Sequence, residues 1–353
     1  MMDLAAQSEL PLHHHISDPP YENYFFADPN VSCQAVLSSP TPNFVPGSLS
    51  THRLLFAWPA GNSGAAVFFK SVTKQDNLRI RFIPGADGRI LDLVKYEPDG
   101  SSRSGYPSVG VSGLVEFSDK ATLDLAILGS VRTLRDYTEG HGILNPKVQE
   151  SIRFGNLDGR TDGLDISRTW FDGKTRMHLT FALFNGGSRG SRPIAIENEI
   201  SERTIRFAAG LYSFQAHLDY PQLPYINPAQ VLKPSVYGSI LEHDDAVKSL
   251  AFLCSSDKIL AGAWRFLTYF GRDSMISLLL LNPILSEGQN GTIEAGLSAM
   301  LERIDHETGK VCHEEIIGDY PTAQAALSGH GNPDAQYDYK MVAKTSSYFL
   351  TQG

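Results

Sequence analysis

The sequence predicts two parts in series, an antiparallel β-sandwich and then helical hairpins. Three observations carry this reading. Between about residues 52 and 235, short runs alternate apolar and polar residues and are separated by Gly, Asp and Pro. From Asp244 onward the apolar residues recur at every third or fourth position. The 353 residues leave room for two domains, at roughly 150 residues each. The expected boundaries are an irregular arm over 1–50, a sandwich over 51–235 and a helical part over 236–353.

The arm is rich in Pro, Ser, Asn and His. His13-His14-His15 has no accompanying ligands that would make it a metal site. Tyr21, Tyr24, Phe25 and Phe26 imply that part of the arm packs on something. In the sandwich, Leu78-Arg-Ile-Arg-Phe82 alternates strictly, as a half-buried strand does. Thr175–Leu183 places Met177, Leu179, Phe181 and Leu183 on one face. Leu164–Phe171 precedes it, and Asp172-Gly173 between them predicts a two-residue type I′ hairpin turn. Further strands are expected over 65–72, 90–96, 108–117, 121–134 and 194–207.

The helical signal begins at Asp244-Asp245, acidic residues suited to a helix N-terminus. Val247, Leu250, Ala251 and Cys254 follow on one face. Ile259, Leu260, Ala263, Trp264 and Leu267 form a second helical set. Residues 274–281 are apolar almost all round, which predicts a helix buried on most sides and stopped by Asn282-Pro283. Ile293, Leu297, Met300, Leu301 and Ile304 predict an amphipathic helix, followed by a loop over 305–336 and a helical stretch over about 339–350.

Composition excludes several classes. The net charge of −9 without basic blocks argues against a nucleic-acid surface. Cys33, Cys254 and Cys312 are scattered, odd in number and without a CxxC, so no disulfide framework or zinc knuckle is expected. No apolar run approaches the ~20 residues of a membrane span, and the N-terminus does not read as a signal peptide. A cytoplasmic, soluble protein is the expectation, with the NVS and NGT sequons at Asn30 and Asn290 as chance matches. Gly186-Gly-Ser-Arg-Gly190 has the letters of a nucleophile elbow but leads into a strand. His313-Glu-Glu-Ile-Ile317 lacks the second histidine of a zinc-protease helix.

Arg272 and Asp273 stand directly before the most apolar run in the chain. Asp273 or Ser274 would serve as a helix cap. The same residues would also suit a binding site. Trp264, Phe266, Tyr269 and Phe270 offer aromatic faces for sugar rings, Gly271 admits close backbone approach, and the charged pair offers donors and acceptors for hydroxyls.

The stretch WRFLTYFGRDSMISLLLL resembles the entry to the catalytic domain of six-hairpin glycosidases, in the glycogen-debranching-enzyme-like group; glucoamylases carry a similar aromatic–Arg–Asp–Ser segment. The similarity covers the domain order and residues 264–342. It implies that the sandwich is followed by an (α/α)6 barrel, and that Arg272 and Asp273 hold the non-reducing-end sugar in the −1 subsite. Gln336-Tyr-Asp-Tyr-Lys-Met341 is similar to the segment before the next inner helix, which makes Asp338 the implied general acid. Tyr337 and Tyr339 beside it would raise its pKa; a solvated helix cap is the other reading of Asp338. Glu314 and Glu315 are weaker candidates, one to line the subsite and the other to pair with Arg303 or Lys310. No metal and no organic cofactor are implied, and the partner is a carbohydrate.

A full barrel needs on the order of 250 residues, and about 110 follow position 243. The expectation is therefore an incomplete (α/α)6 barrel whose open apolar face favours association, and whose inverting base, from a late hairpin, is missing. Two functions remain open: a glycoside hydrolase acting on oligosaccharide or α-glucan, and a non-catalytic carbohydrate-binding or assembly protein. Phosphorylases or lyases of similar shape are a third.

Overall fold

The structure is a computed structural model and describes residues 11–40, 51–73, 78–98, 100, 102–140, 142–159, 162–184, 194–198, 203–240, 243–329 and 337–338. It is mostly β, with two large antiparallel sheets and eight α-helices among the described residues. The strands are Leu12–Asp18 (β1), Tyr21–Ala27 (β2), Ser32–Ser38 (β3), His52–Trp58 (β4), Ser63–Ser71 (β5), Ile80–Ile83 (β6), Leu91–Tyr96 (β7), Ser108–Phe117 (β8) and Ala121–Ser130 (β9). They continue as Arg153–Asn156 (β10), Gly163–Thr169 (β11), Arg176–Leu183 (β12), Ile194–Asn198 (β13), Arg203–Phe207 (β14), Gly210–Leu218 (β15), Glu314–Glu315 (β16) and Tyr337–Asp338 (β17). The helices are Val131–Thr138 (α1), Pro146–Glu150 (α2), Pro228–Val231 (α3), Pro234–Tyr237 (α4), Asp244–Leu253 (α5), Gly271–Leu281 (α6), Thr292–Glu302 (α7) and Asp319–Ser328 (α8).

The eight-stranded sheet runs β1-β2-β3-β4-β5-β9-β14-β13. The second runs β10-β11-β12-β15-β8-β6, with β7 sharing the edge of β8 beyond β6. Between the sheets lies an apolar core in which Phe69 packs edge-on against Phe117, Phe181 and Phe207. The outer face of the eight-stranded sheet is buried as well. Leu55, Ala57, Phe68 and Ile127 meet Leu134 of α1, Phe252 of α5, Leu260, Trp264 and Leu267 there. All seven residues of β4, HRLLFAW, are therefore buried and show no alternation, because a strand covered on both faces reads as a continuous run. A third core holds the C-terminal helices, with Val247, Ala251, Met275, Leu278 and Ala299 among its members.

Several elements differ from expectation. The segment expected as an irregular arm contains β1, β2 and β3, which extend the eight-stranded sheet. Its histidines lie on the edge strand, and the segment is held by backbone pairing together with burial of Leu12, His14, Phe25 and Phe26, so the aromatics pack as expected, Phe25 edge-on against Phe252. The run expected as strand to 134 turns helical at Val131, because Ser130 accepts a hydrogen bond from the Thr133 amide at 3.2 Å and caps α1. The β11–β12 connection spans residues 170–175. Within it only Gly173 has positive φ, and the Asp172 carboxylate accepts from the Lys174 and Thr175 amides, so no type I′ turn forms.

Residues 259–267 form no α-helix. Ile259 bridges Cys254, the Ala261 amide donates to the Thr268 carbonyl, and a single 3₁₀ turn covers Trp264–Phe266. The apolar residues instead divide between two cores, Ile259 facing the helices and Leu260, Trp264 and Leu267 the sheet. Helix α6 buries Gly271, Ser274, Met275 and Leu278, whereas Leu279 and Leu280 are 59% and 70% exposed. The loop expected over 305–336 contains β16 and α8. The helix expected over 339–350 and the Gly186–Gly190 motif lie outside the described residues. All three cysteines are buried and unpaired with one another, and burial pushes the Cys254 and Cys312 thiols up to about 12. Among the described residues no helix is long and apolar enough to cross a membrane.

Candidate functional site

Helix α6 begins against the ribbon formed by β16 and β17. The Gly271 amide donates to the His313 carbonyl at 3.1 Å, and Phe270 bridges Glu314. The two backbones pass so closely that a Cβ at Gly271 would lie 2.3 Å from the Cys312 carbonyl oxygen. The absent side chain at Gly271 thus makes room for the ribbon and not, as expected, for a ligand. Gly271→Ala is expected to destabilise the protein by about 1–3 kcal/mol through overpacking, read as a lowered thermal midpoint; an unchanged midpoint would show that the ribbon yields freely.

The N-cap of α6 is Phe270, and no side chain caps the helix, so neither Asp273 nor Ser274 plays that part. The Ser274 hydroxyl donates to the Ile259 carbonyl at 3.4 Å. Arg272 and Asp273 lie in the first turn with half-exposed side chains, Nε to Oδ2 at 3.7 Å. This places an exposed charged pair at the positive end of the helix.

The ribbon register sets Glu314 opposite Asp338 and Glu315 opposite Tyr337. Opposed residues of an antiparallel pair present their side chains to one face, so Glu314 and Asp338 form a carboxylate pair beside the start of α6. Burial raises the Glu314 carboxyl above its ordinary value, against the opposing charges of Arg132, Arg135 and His313; the Asp338 charge adds to the rise. Arg132 Nη1 approaches Glu314 Oε2 at 3.5 Å, and its guanidinium lies over the Tyr320 ring.

Glu315, expected with Glu314 as one residue to line the subsite and one to pair with Arg303 or Lys310, is the one that pairs with Arg303; it faces the other way and is 3% exposed. Its carboxylate takes an ion pair from Lys258, a second from Arg303 Nη2 at 3.1 Å, and hydrogen bonds from the Thr268 hydroxyl at 2.8 Å and the Tyr269 amide at 3.2 Å. Burial alone would raise its pKa, but Lys258 and Arg303 outweigh that and hold it below the ordinary value. With every acceptor committed, Glu315 holds the framework together and does not meet a ligand. Tyr269 is fully buried beneath the Arg303 guanidinium, 4.9 Å from ring centre, and offers no aromatic floor. Trp264 is likewise buried, and Arg265 stacks on it at 5.0 Å. The exposed ring near the ribbon is Phe266, 45% exposed, which stands edge-on to Phe270. Phe270 in turn stands edge-on to His313.

The backbone bridge from Phe270 to Glu314 therefore sets the start of α6, with Arg272 and Asp273 in its first turn, against the ribbon that carries Glu314 and Asp338, whereas Glu315, Tyr269 and Trp264 are buried away from solvent. The structure adds Arg132 and His313. A local signal for Arg132 exists in the sequence, since Ser130 followed by Val131 and Leu134 has the form of a capped amphipathic helix. Among the described residues no group of three or more His, Cys, Asp or Glu side chains is placed to hold a metal ion. Comparison with protein-family models, with curated proteins and with solved structures finds no match to this chain.

Proposed function

We propose that this chain binds a saccharide where α6 meets the β16–β17 ribbon, in a site of glycoside-hydrolase type. The observation that carries the reading is the Glu314–Asp338 pairing on a ribbon bridged to Phe270, which immediately precedes the helix turn bearing the exposed Arg272–Asp273 pair. Arg272 and Asp273 supply fixed donors and acceptors for adjacent hydroxyls. The ribbon pair supplies the proton for the glycosidic oxygen. Glu314 is the favoured carrier because burial, with a smaller contribution from the Asp338 charge, raises its carboxyl above the ordinary value.

Directly opposed residues have Cβ atoms only ~4.5–5.5 Å apart. An inverting reaction separates acid and base by ~6.5–9.5 Å to seat a water. The ribbon pair is thus one side of the reaction, and the base belongs on the opposite face of the sugar, as in the (α/α)6 arrangement that the sequence resembles. A non-catalytic saccharide-binding protein is the second reading, favoured by the Arg132–Glu314 contact, in which the guanidinium holds the carboxyl as a structural partner.

Titration calorimetry with maltotriose and maltoheptaose tests the reading. Asp273→Ala is expected to weaken binding by about tenfold or more, from the ~1.5–3 kcal/mol of a hydrogen bond to a charged group. Unchanged affinity, or no heat from the unaltered chain, would remove the subsite. Reducing-end release that is lost in Glu314→Gln while binding persists would select the hydrolase over the binding protein.

A further inference from the structure

On the second sheet, away from the ribbon, lies a cleft of about 150 Å³. Its floor is built by alternation: Arg176 and His178 project from one face of β12, and His217 and Asp219 from the facing positions at the end of β15. Tyr96 and Tyr106 flank it, 46% and 47% exposed. The floor is rigid. The His178 and His217 rings stack at 5.1 Å and 13°. His178 Nδ1 lies 3.1 Å from the Asp165 carboxylate, and His217 Nδ1 lies 2.7 Å from the Ser108 hydroxyl. Asp219, 5% exposed, accepts from the Arg176 amide. The Tyr96 hydroxyl donates to Gln215 at 2.8 Å, which fixes that ring at the rim, 5.2 Å from His217.

The contents of this cleft narrow its ligand. Burial drives the His217 pKa down to about 3, helped by His178, so its ring stays neutral at physiological pH. A Ser108–His217 nucleophile would then have too weak a base to act. Glu97 and Asp219 in the lining disfavour an anion, and Arg176 disfavours a cation. Two exposed phenol rings beside the neutral His217 imidazole, the His178 ring and the Asp219 carboxyl suit a ligand with an apolar face and several hydroxyls. The volume lies below the ~300–1,000 Å³ of larger ligand pockets, which suits one ring better than a chain.

We propose that this cleft is a second binding site, for a single neutral sugar ring, independent of the ribbon site. The test is saturation-transfer NMR on the full chain with glucose, galactose, mannose and xylose, in the parent and Asp273→Ala backgrounds, so that signal from the ribbon site is the part that Asp273→Ala changes. Transfer to at least one monosaccharide is expected. It should fall by about tenfold in apparent affinity in Tyr106→Ala and again in Tyr96→Ala, with thermal midpoints unchanged because both rings are half-exposed. The proposal is overturned if none of the four sugars receives transfer, or if both tyrosine variants keep full affinity. Should Asp273→Ala leave oligosaccharide binding intact while Tyr106→Ala removes monosaccharide transfer, the ribbon reading fails and this one stands.

Discussion

Glu315→Ala is expected to lower stability by about 3–5 kcal/mol, the cost of leaving buried charges without their partner. Lys258 and Arg303 would keep their positive charges in the helical core with no carboxylate between them, for both lie against Glu315 with their side chains 5% and 10% exposed. The loss is larger than that of one contact, because Glu315 also receives the Thr268 hydroxyl and the Tyr269 amide. Segments 258, 268–269, 303 and 314–315 converge on this one side chain. Glu315→Gln keeps the shape but not the charge, and is expected to fall between the alanine variant and the parent.

The same cluster gives a pH dependence. The folded carboxyl titrates below its ordinary value of 4.5, so the unfolded chain binds this proton first as pH falls. The contribution is complete above about pH 5.5, and it is lost as pH falls through 4.5 toward the depressed folded value. Urea unfolding at pH 7 and pH 4 checks both points. The parent should lose more stability between the two pH values than Glu315→Gln does. Equal losses would mean that another carboxylate dominates acid unfolding.

Arg168→Ala is expected to have an effect of similar size, about 3–5 kcal/mol, and to loosen the attachment of α8 to the sandwich. Arg168 on β11 is fully buried and meets Asp319, the first residue of α8, with Nη1 to Oδ2 at 2.5 Å and Nη2 to Oδ1 at 3.3 Å. It also donates to the Leu128 carbonyl at 2.9 Å and the Ser151 hydroxyl at 2.8 Å, while Asp319 accepts from the Phe171 amide at 3.2 Å. The junction needs glycine beside it. Gly318, at φ 70°, crosses Gly61 so tightly that a Cβ would lie 2.0 Å from the Gly61 carbonyl oxygen.

Arg168→Lys is expected to rescue little, since an ammonium cannot reproduce the two-pronged fit to a carboxylate. The double change Arg168→Met with Asp319→Leu should recover much of the loss, because it removes both charges together. Urea unfolding, with limited proteolysis across 319–328 as a local readout, distinguishes these cases. A single alanine variant that loses less than ~1 kcal/mol, the worth of a surface pair, would show that the sandwich and α8 are joined by packing alone.

By itself, the sequence determined the elements whose burial repeats locally. β12 shows its period of two in Met177, Leu179 and Phe181, and α5 and α7 show their helical spacing. The exposed Arg272–Asp273 pair at the start of α6 was legible for the same reason, since charge beside an apolar run marks a helix end. Only the tertiary structure decided what depends on distant partners. β1 to β3 are strands because β4 accepts them, not because their own pattern alternates. Residues 259–267 abandon a helical pattern because two cores pull on opposite sides of the chain. Glu314 and Glu315 are adjacent and chemically alike, yet the ribbon's alternation sends one toward Asp338 and the other into a buried ion cluster. Arg168 and Asp319 are 151 residues apart. A pairing of that range leaves no trace in local periodicity, because the energy that selects it arises only when both charges lose water together.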